Sequence, residues 1–202
     1  MKMIRILIVL IVIAWISMPL TAQTPNASQF DHLKDPQISI KANQKMLVVE
    51  AKGDPNVIGG KAFGLLFQLY FSIPETPKNL MFAIPRARWP IALDTPKSEW
   101  IGLYALPIPD TVTELPKYQA QEDLKVSLIT WEYGEVAEIL HIGPYSKEEP
   151  TIKRLTDLIK EQGYEIIGET HEEEYISGPS MSGNDDPEKY MTIIRYRVKK
   201  IE

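Results

Sequence analysis

The spacing of apolar residues changes several times along the chain, and each change predicts an element. Met46-Leu47-Val48-Val49 is a strand that stops at Gly53-Asp54-Pro55. Asp54 is a good helix N-cap and Pro55 suits the first helical position. Ile58, Ala62, Leu65, Leu66 and Leu69 then recur at helical spacing, which predicts a helix near Asn56–Tyr70. Gly59, Gly60 and Gly64 weaken that helix but let it lie close to a sheet. Leu80–Ile84 and Ile101–Leu106 read as strands. The Pro-rich stretches Ile73–Pro77, Pro85–Pro96 and Pro107–Pro116 read as loops.

The second half repeats this order. Val126–Trp131 and Val136–Ile142 are strands joined through Tyr133-Gly134-Glu135, a tight-turn signature, and the second stops at Gly143-Pro144-Tyr145. Ser146 and Glu149 have the spacing of a capping box. The helix that follows, near Lys147–Gln162, buries Ile152, Leu155, Leu158 and Ile159, with Gly163 at its C-terminal stop. Two strands, near His171–Ile176 and Met191–Val198, close the chain around a polar Gly/Asn/Asp loop. Strand, glycine–proline stop, helix, strand, strand therefore occurs twice. This predicts an α+β domain of duplicated βαββ units, with Gly53 and Gly143 equivalent. One antiparallel sheet then carries two helices on one face and leaves a central groove on the other, at the seam between the units.

The N-terminus breaks the pattern. Lys2 and Arg5 precede an unbroken apolar run, Ile6–Ile16, and Ser17, Pro19, Thr21 and Ala22 follow. The run is shorter than the roughly 20 residues a membrane span needs. Basic end, short apolar run and small residues are the order of a secretory signal over residues 1–22. The chain is thus expected to be periplasmic or secreted, with an uncleaved membrane anchor as the alternative. Any membrane contact is expected only through this segment. Residues 23–44 read as a polar linker and 45–202 as the domain.

Composition narrows the chemistry. Asp and Glu number 27 against 22 Lys and Arg, and losing Lys2 and Arg5 makes the balance more acidic, so no nucleic-acid partner is expected. There is no cysteine and only His32, His141 and His171, so neither a Cys- nor a His-rich metal site can form, and no cofactor is expected. Alternation along His171–Ile176 puts His171, Glu173 and Tyr175 on one face and Glu172, Glu174 and Ile176 on the other. Glu173 could pair with a ligand cation or act as a general base, or could belong to a solvated acidic strand. Tyr145 could bond a ligand or staple the helix start. Trp89, Trp100, Tyr104 and Trp131 could wall a cleft or simply fill the core. His141 could face the cleft or pack beneath it.

Ala137-Glu138-Ile139-Leu140-His141-Ile142-Gly143-Pro144-Tyr145, Gly163-Tyr164, Glu173-Glu174-Tyr175 with Gly178-Pro179, and Thr192-Ile193-Ile194 to Val198 together resemble the GyrI-like effector-binding domains. Val48-Val49-Glu50 and Gly53-Asp54-Pro55 fit more loosely, and the resemblance spans roughly Lys45–Lys200. It implies two βαββ halves around a cleft that takes amphipathic or cationic molecules, with the Glu-x-Tyr of Glu173 and Tyr175 in the site. In that family the domain often serves as the sensor half of a transcription regulator. One branch hydrolyses reactive small molecules, and haem-binding relatives share the fold. This chain departs from the regulators in having an export-like start and no helix-turn-helix before the domain. Small-molecule binding in the envelope is the leading expectation. Hydrolysis in the same cleft and docking to a protein partner are the alternatives.

Overall fold

The computed structural model describes residues 27–79, 83–90, 95–179 and 186–202. The chain runs β1 (Gln37–Lys41), β2 (Gln44–Lys52), α1 (Pro55–Ser72), β3 (Arg86–Trp89), β4 (Ile101–Pro107), β5 (Leu124–Trp131), β6 (Gly134–Ile142), α2 (Glu149–Glu161), β7 (Tyr164–Ser177) and β8 (Met191–Lys200). All eight strands join one antiparallel sheet, in the order β1-β6-β8-β7-β3-β4-β2-β5. The two βαββ units, β2-α1-β3-β4 and β6-α2-β7-β8, meet where β3 pairs with β7.

The duplication is visible in backbone detail. Gly53 and Gly143 have φ of 135° and 138°, a region that disfavours side chains. Each donates its N–H to the residue just before its unit's last strand, Gly53 to Trp100 and Gly143 to Tyr190, at 2.8 and 2.9 Å. Both helices pack on one face. Leu65, Leu66 and Leu69 of α1 share a core with Ala87 and Tyr104, and Leu155 and Ile159 of α2 share one with Ile139 and Ile194. Asp54 caps α1 as expected, accepting from Asn56 N at 2.9 Å. Gly163, with φ 71°, ends α2.

Several expectations are corrected. The strand of the first unit is Arg86–Trp89, inside a stretch whose prolines suggested a loop. Leu80–Phe82, expected to begin a strand, lie outside the described residues, and Ala83 and Ile84 are not in one. Ser146 and Glu149 form no capping box, because Tyr145–Lys147 is a 3-10 turn and Glu148 stands at the N-cap of α2. Within the supposed linker, Ala27–Leu33 is a 3-10 helix that buries Leu33, and Gln37–Lys41 is β1. The signal-like residues 1–22 lie outside the described residues.

The largest correction concerns Tyr133-Gly134-Glu135. β5 and β6 do not form a hairpin: β5 pairs with β2, and β6 with β1 and β8. The register is the same in both pairings. From Gln37↔Glu138 to Lys41↔Gly134, and on from Gln44↔Trp131 to Ala51↔Leu124, residue numbers of partners keep one constant sum. Residues 37–51 and 124–138 are therefore a single kinked antiparallel ribbon. Ala42-Asn43 lies opposite Glu132-Tyr133 at the kink, where Asn43 Oδ1 accepts from Tyr133 N at 3.0 Å. For one ribbon to serve both ends of the sheet, the sheet must curl around its helix-free face. Met46 and Val48 of β2 consequently pack with Val136 of β6 on that enclosed face, together with Ala105, Trp131 and Tyr133.

Candidate functional site

Across the helix side of the sheet runs one row of directly paired residues: Val126, Val49, Tyr104, Ala87, Glu173, Ile194 and Ile139. Glu173 is its one charged member and stands at the seam. It is 9% exposed, so burial must be offset by partners. Tyr175 donates its hydroxyl to Glu173 Oε2 at 2.6 Å, and His171 Nε2 lies 2.9 Å from Oε1. The expected facing of His171, Glu173 and Tyr175 is the observed one. The alternative of a solvated acidic strand is excluded, since Glu172, Glu173 and Glu174 are all buried.

Aromatic rings build the walls. Phe63 of α1 meets Tyr104 and Tyr175 edge-on at 4.9 and 5.9 Å. Trp89 packs on Tyr104 and Trp100 at 5.7 and 5.4 Å. From the second unit, Tyr145 lies 5.7 Å from Tyr175 and 5.8 Å from Tyr190, and it keeps 38% exposure at the mouth. Gly102 makes room for this stack. A Cβ there would come 2.6 Å from Tyr104 Cε2 and 3.0 Å from Trp89 Cζ3. At Gly59 of α1 a Cβ would lie 3.6 Å from the Tyr104 hydroxyl, an ordinary contact, so only Gly102 is required by the stack.

A second carboxyl lies near Glu173. Glu148 is buried at the N-cap of α2, and its Oε1 has no hydrogen-bond partner among the described residues. Burial, then the neighbouring Glu173 charge, push its pKa up to about 9. The field of Glu173 also reaches Tyr104, whose hydroxyl is pushed up to about 12, first by burial and then by that charge. Burial likewise raises Tyr145, Tyr175 and Tyr196, with Glu173 next in size for each. Tyr104 Oη and Trp89 Nε1 are buried without partners, like Glu148 Oε1. Buried polar atoms seldom stay unpaired in folded proteins, so these atoms, on residues packed near Glu173, keep hydrogen-bonding capacity in reserve.

Sequence reasoning missed Glu148, because Ser146 and Glu149 matched a capping pattern. A glutamate at an N-cap, where Ser, Thr, Asp or Asn is usual, was the available signal. Two candidates leave the site. His141 is on the helix side but beneath α2, with Nδ1 3.0 Å from Thr151 Oγ1 and Nε2 3.2 Å from Pro144 O. Trp131 is on the enclosed face, 4.0 Å under the Arg88 guanidinium.

On the face opposite the helices, where the groove is expected, ion pairs gather at the seam. Arg195 reaches Glu138, Glu172 and Glu174 at 2.9, 2.5 and 3.1 Å. Arg86 pairs with Glu174 at 3.2 Å and Arg88 with Glu172 at 2.9 Å. Tyr133 accepts from Arg86 and donates to Glu172, both at 3.0 Å. Burial alone would raise Glu174, but Arg86, Arg195 and Lys41 outweigh it and hold the carboxyl below its ordinary value.

Comparison with known proteins agrees with this architecture. The model of the GyrI-like small molecule binding domain matches residues 34–199. A hydrolase from Listeria innocua superposes with a TM-score of 0.64 at 22% identity, covering 82% of this chain and 92% of that one. The C-terminal domain of EcmrR gives 0.57 at 13% identity, over 83% and 98%. SAV2435 bound to tetraphenylphosphonium gives 0.50 at 16%, over 82% and 94%. At these identities the likeness is one of fold. None of the curated proteins matches the chain.

Proposed function

The chain belongs to the GyrI-like small molecule binding domain family, and we propose that its ligand is a lipophilic cation held between the helices, with the Glu173 carboxylate as counter-charge. The observation that carries this is a buried carboxylate with a second carboxyl beside it in an aromatic chamber. Ring faces attract cations, and a desolvated cation needs a nearby anion. The tetraphenylphosphonium bound to SAV2435 is of this ligand class.

Calorimetric titration of tetraphenylphosphonium, with neutral triphenylphosphine oxide in parallel, tests the reading. A charge-assisted contact is worth about 1.5–3 kcal/mol, so Glu173→Gln should weaken the cation roughly 10- to 100-fold. The neutral compound should hardly respond. Glu149→Gln, on the exposed side of the α2 start, is the control. Glu174 is unsuitable for that purpose because its charge is locked to two arginines. Equal affinity of the cation for wild type and Glu173→Gln would overturn the proposal.

A second reading is favoured by the asymmetry of the two carboxyls. Glu148, pushed up to about 9, carries a proton at neutral pH and could deliver it to a leaving group. Glu173 could then orient the attacking water on a reactive electrophile. The Listeria neighbour described as a hydrolase has this fold. On this reading Glu148→Gln retains binding and loses turnover of the electrophile. We also propose export to the periplasm or beyond, from the basic, apolar and small-residue order of residues 1–22.

A further inference from the structure

The face enclosed by the curled sheet holds a separate cavity of about 280 Å³. β7 creates it. Up to Ile166 this strand pairs with β8 in one register and from His171 in another, and residues 167–170 bulge out between them. Gly168 takes φ 76° within the bulge. Bulges of this kind gather where a strand must open or re-aim side chains. Ile167, Gly168 and Thr170 of the bulge line it, and Pro90 and Leu103 add further apolar surface. Arg88, Arg195, Arg197, Tyr133 and Glu172 supply the polar lining.

The charges in that lining do not cancel. Arg86, Arg88 and Arg195 are matched by Glu138, Glu172 and Glu174, while Arg197 has only the more distant, mostly exposed Glu132 carboxylate. Glu172 is the one carboxylate of the lining, and its oxygens are spent: Oε1 on Tyr133 and Arg195, Oε2 on Arg88. A cation would meet three guanidiniums and one carboxylate that two of them already neutralise. Donors are available instead. Arg88 is held flat, with Nε on Glu172 and its guanidinium 4.0 Å from the Trp131 ring, while Nη1 has no partner among the described residues. Among the described residues Arg197 bonds only the Tyr133 carbonyl, through Nε at 3.3 Å. Its Nη2 lies 3.9 Å from the mostly exposed Glu132 carboxylate, beyond hydrogen-bond reach.

We propose that this cavity is a second small-molecule site, for an amphipathic organic anion whose head is taken by Arg88 and Arg197 and whose flat apolar body lies against Leu103, Pro90 and Ile167. The two sites lie on opposite faces of one sheet and have opposite charge preference. Glu173 turns toward the helix side and Glu172 toward the enclosed side of the same strand. The anion therefore binds without displacing a cation.

Naphthalene-2-sulfonate titrated into the purified protein by calorimetry tests the proposal, with neutral naphthalene-2-sulfonamide as the uncharged match. The sulfonate should bind one to one, and the sulfonamide at least about tenfold more weakly. Arg197→Gln should weaken the sulfonate roughly 10- to 100-fold, the range of a lost charge-assisted bond. Arg197→Lys keeps the charge and should restore most of the affinity. Arg197 is partly exposed and outside the closed ion network, and thermal melting verifies that both variants fold. Saturating tetraphenylphosphonium should leave the sulfonate affinity unchanged. No sulfonate binding, equal binding by a folded Arg197→Gln, equal binding of the sulfonamide, or displacement by the cation would each overturn the site.

Discussion

Replacing Glu148 by Gln should make the protein more stable, and by an amount that grows with pH. The Glu148 carboxyl is buried with one oxygen unpaired, and its pKa rises from 4.5 to about 9. Between those values the folded protein holds a proton that the unfolded chain has released. Stability therefore falls as the pH rises through that window. Each pKa unit is about 1.36 kcal/mol, so from 4.5 up to pH 7 the charge suppressed at Glu148 costs about 3 kcal/mol of folding stability. Gln keeps the shape and is neutral in both states, although its amide inherits the unpaired position. The expected gain is about 2–3 kcal/mol at pH 7, close to nothing near pH 4.5, and larger again at pH 8. Urea unfolding of both proteins at those three pH values measures it directly. The same proton should be displaced by a bound cation, so tetraphenylphosphonium should bind wild type more tightly as the pH rises from 6 to 9. A stability difference that stays flat with pH, or a Glu148→Gln protein that is less stable at pH 7, would refute the burial of the Glu148 carboxyl, the larger cause of its raised pKa.

Arg195→Met should destabilise the fold by about 3–5 kcal/mol at pH 7, because it leaves the buried Glu172 and Glu174 and the half-buried Glu138 without their shared guanidinium. The folded-state pKa of Glu174 is lowered, so its contribution is present above the ordinary value of 4.5 and is lost as the pH falls through the folded value; the difference between the proteins should narrow in acid, and one that widened there would contradict the network. Mass spectrometry of protein from its native envelope should find an N-terminus near Gln23, whereas an intact Met1 on a soluble cytoplasmic species would contradict export.

Much of the site was legible because it depends on local periodicity. Alternation along β7 was enough to put His171, Glu173 and Tyr175 together and Glu172 and Glu174 apart from them. Trp89, Trp100, Tyr104 and Tyr145 carry the marks of cleft walls in their residue type, and the structure links all four in one chain of ring contacts through Phe63 and Tyr175. Trp131 has the same composition and a comparable place beside a turn, yet it lies on the other face. Which face a strand-end ring joins depends on pairing partners far along the chain. Glu148 escaped notice because a short polar stretch before a helix fits several capping arrangements, and only the packed structure selects one.

The sequence alone determined the two βαββ units, the glycine stops at Gly53 and Gly143, the α1 cap at Asp54 and the facing of β7. These follow from steric rules, capping chemistry and strand alternation, all of which act within a few residues. It did not determine that Gln37–Ala51 and Leu124–Glu138 pair as one kinked ribbon. A two-residue link such as Glu132-Tyr133 suits a hairpin as well as a kink, and the choice is made by which distant strands complete the ladder. The curl imposed by that ribbon encloses the helix-free face. Enclosure turns Glu172 and Glu174, solvated by their local pattern, into buried carboxylates that need Arg86, Arg88 and Arg195. The charge of a glutamate is written in its side chain, but its burial, and with it the electrostatics of both faces, exists only once the sheet has closed.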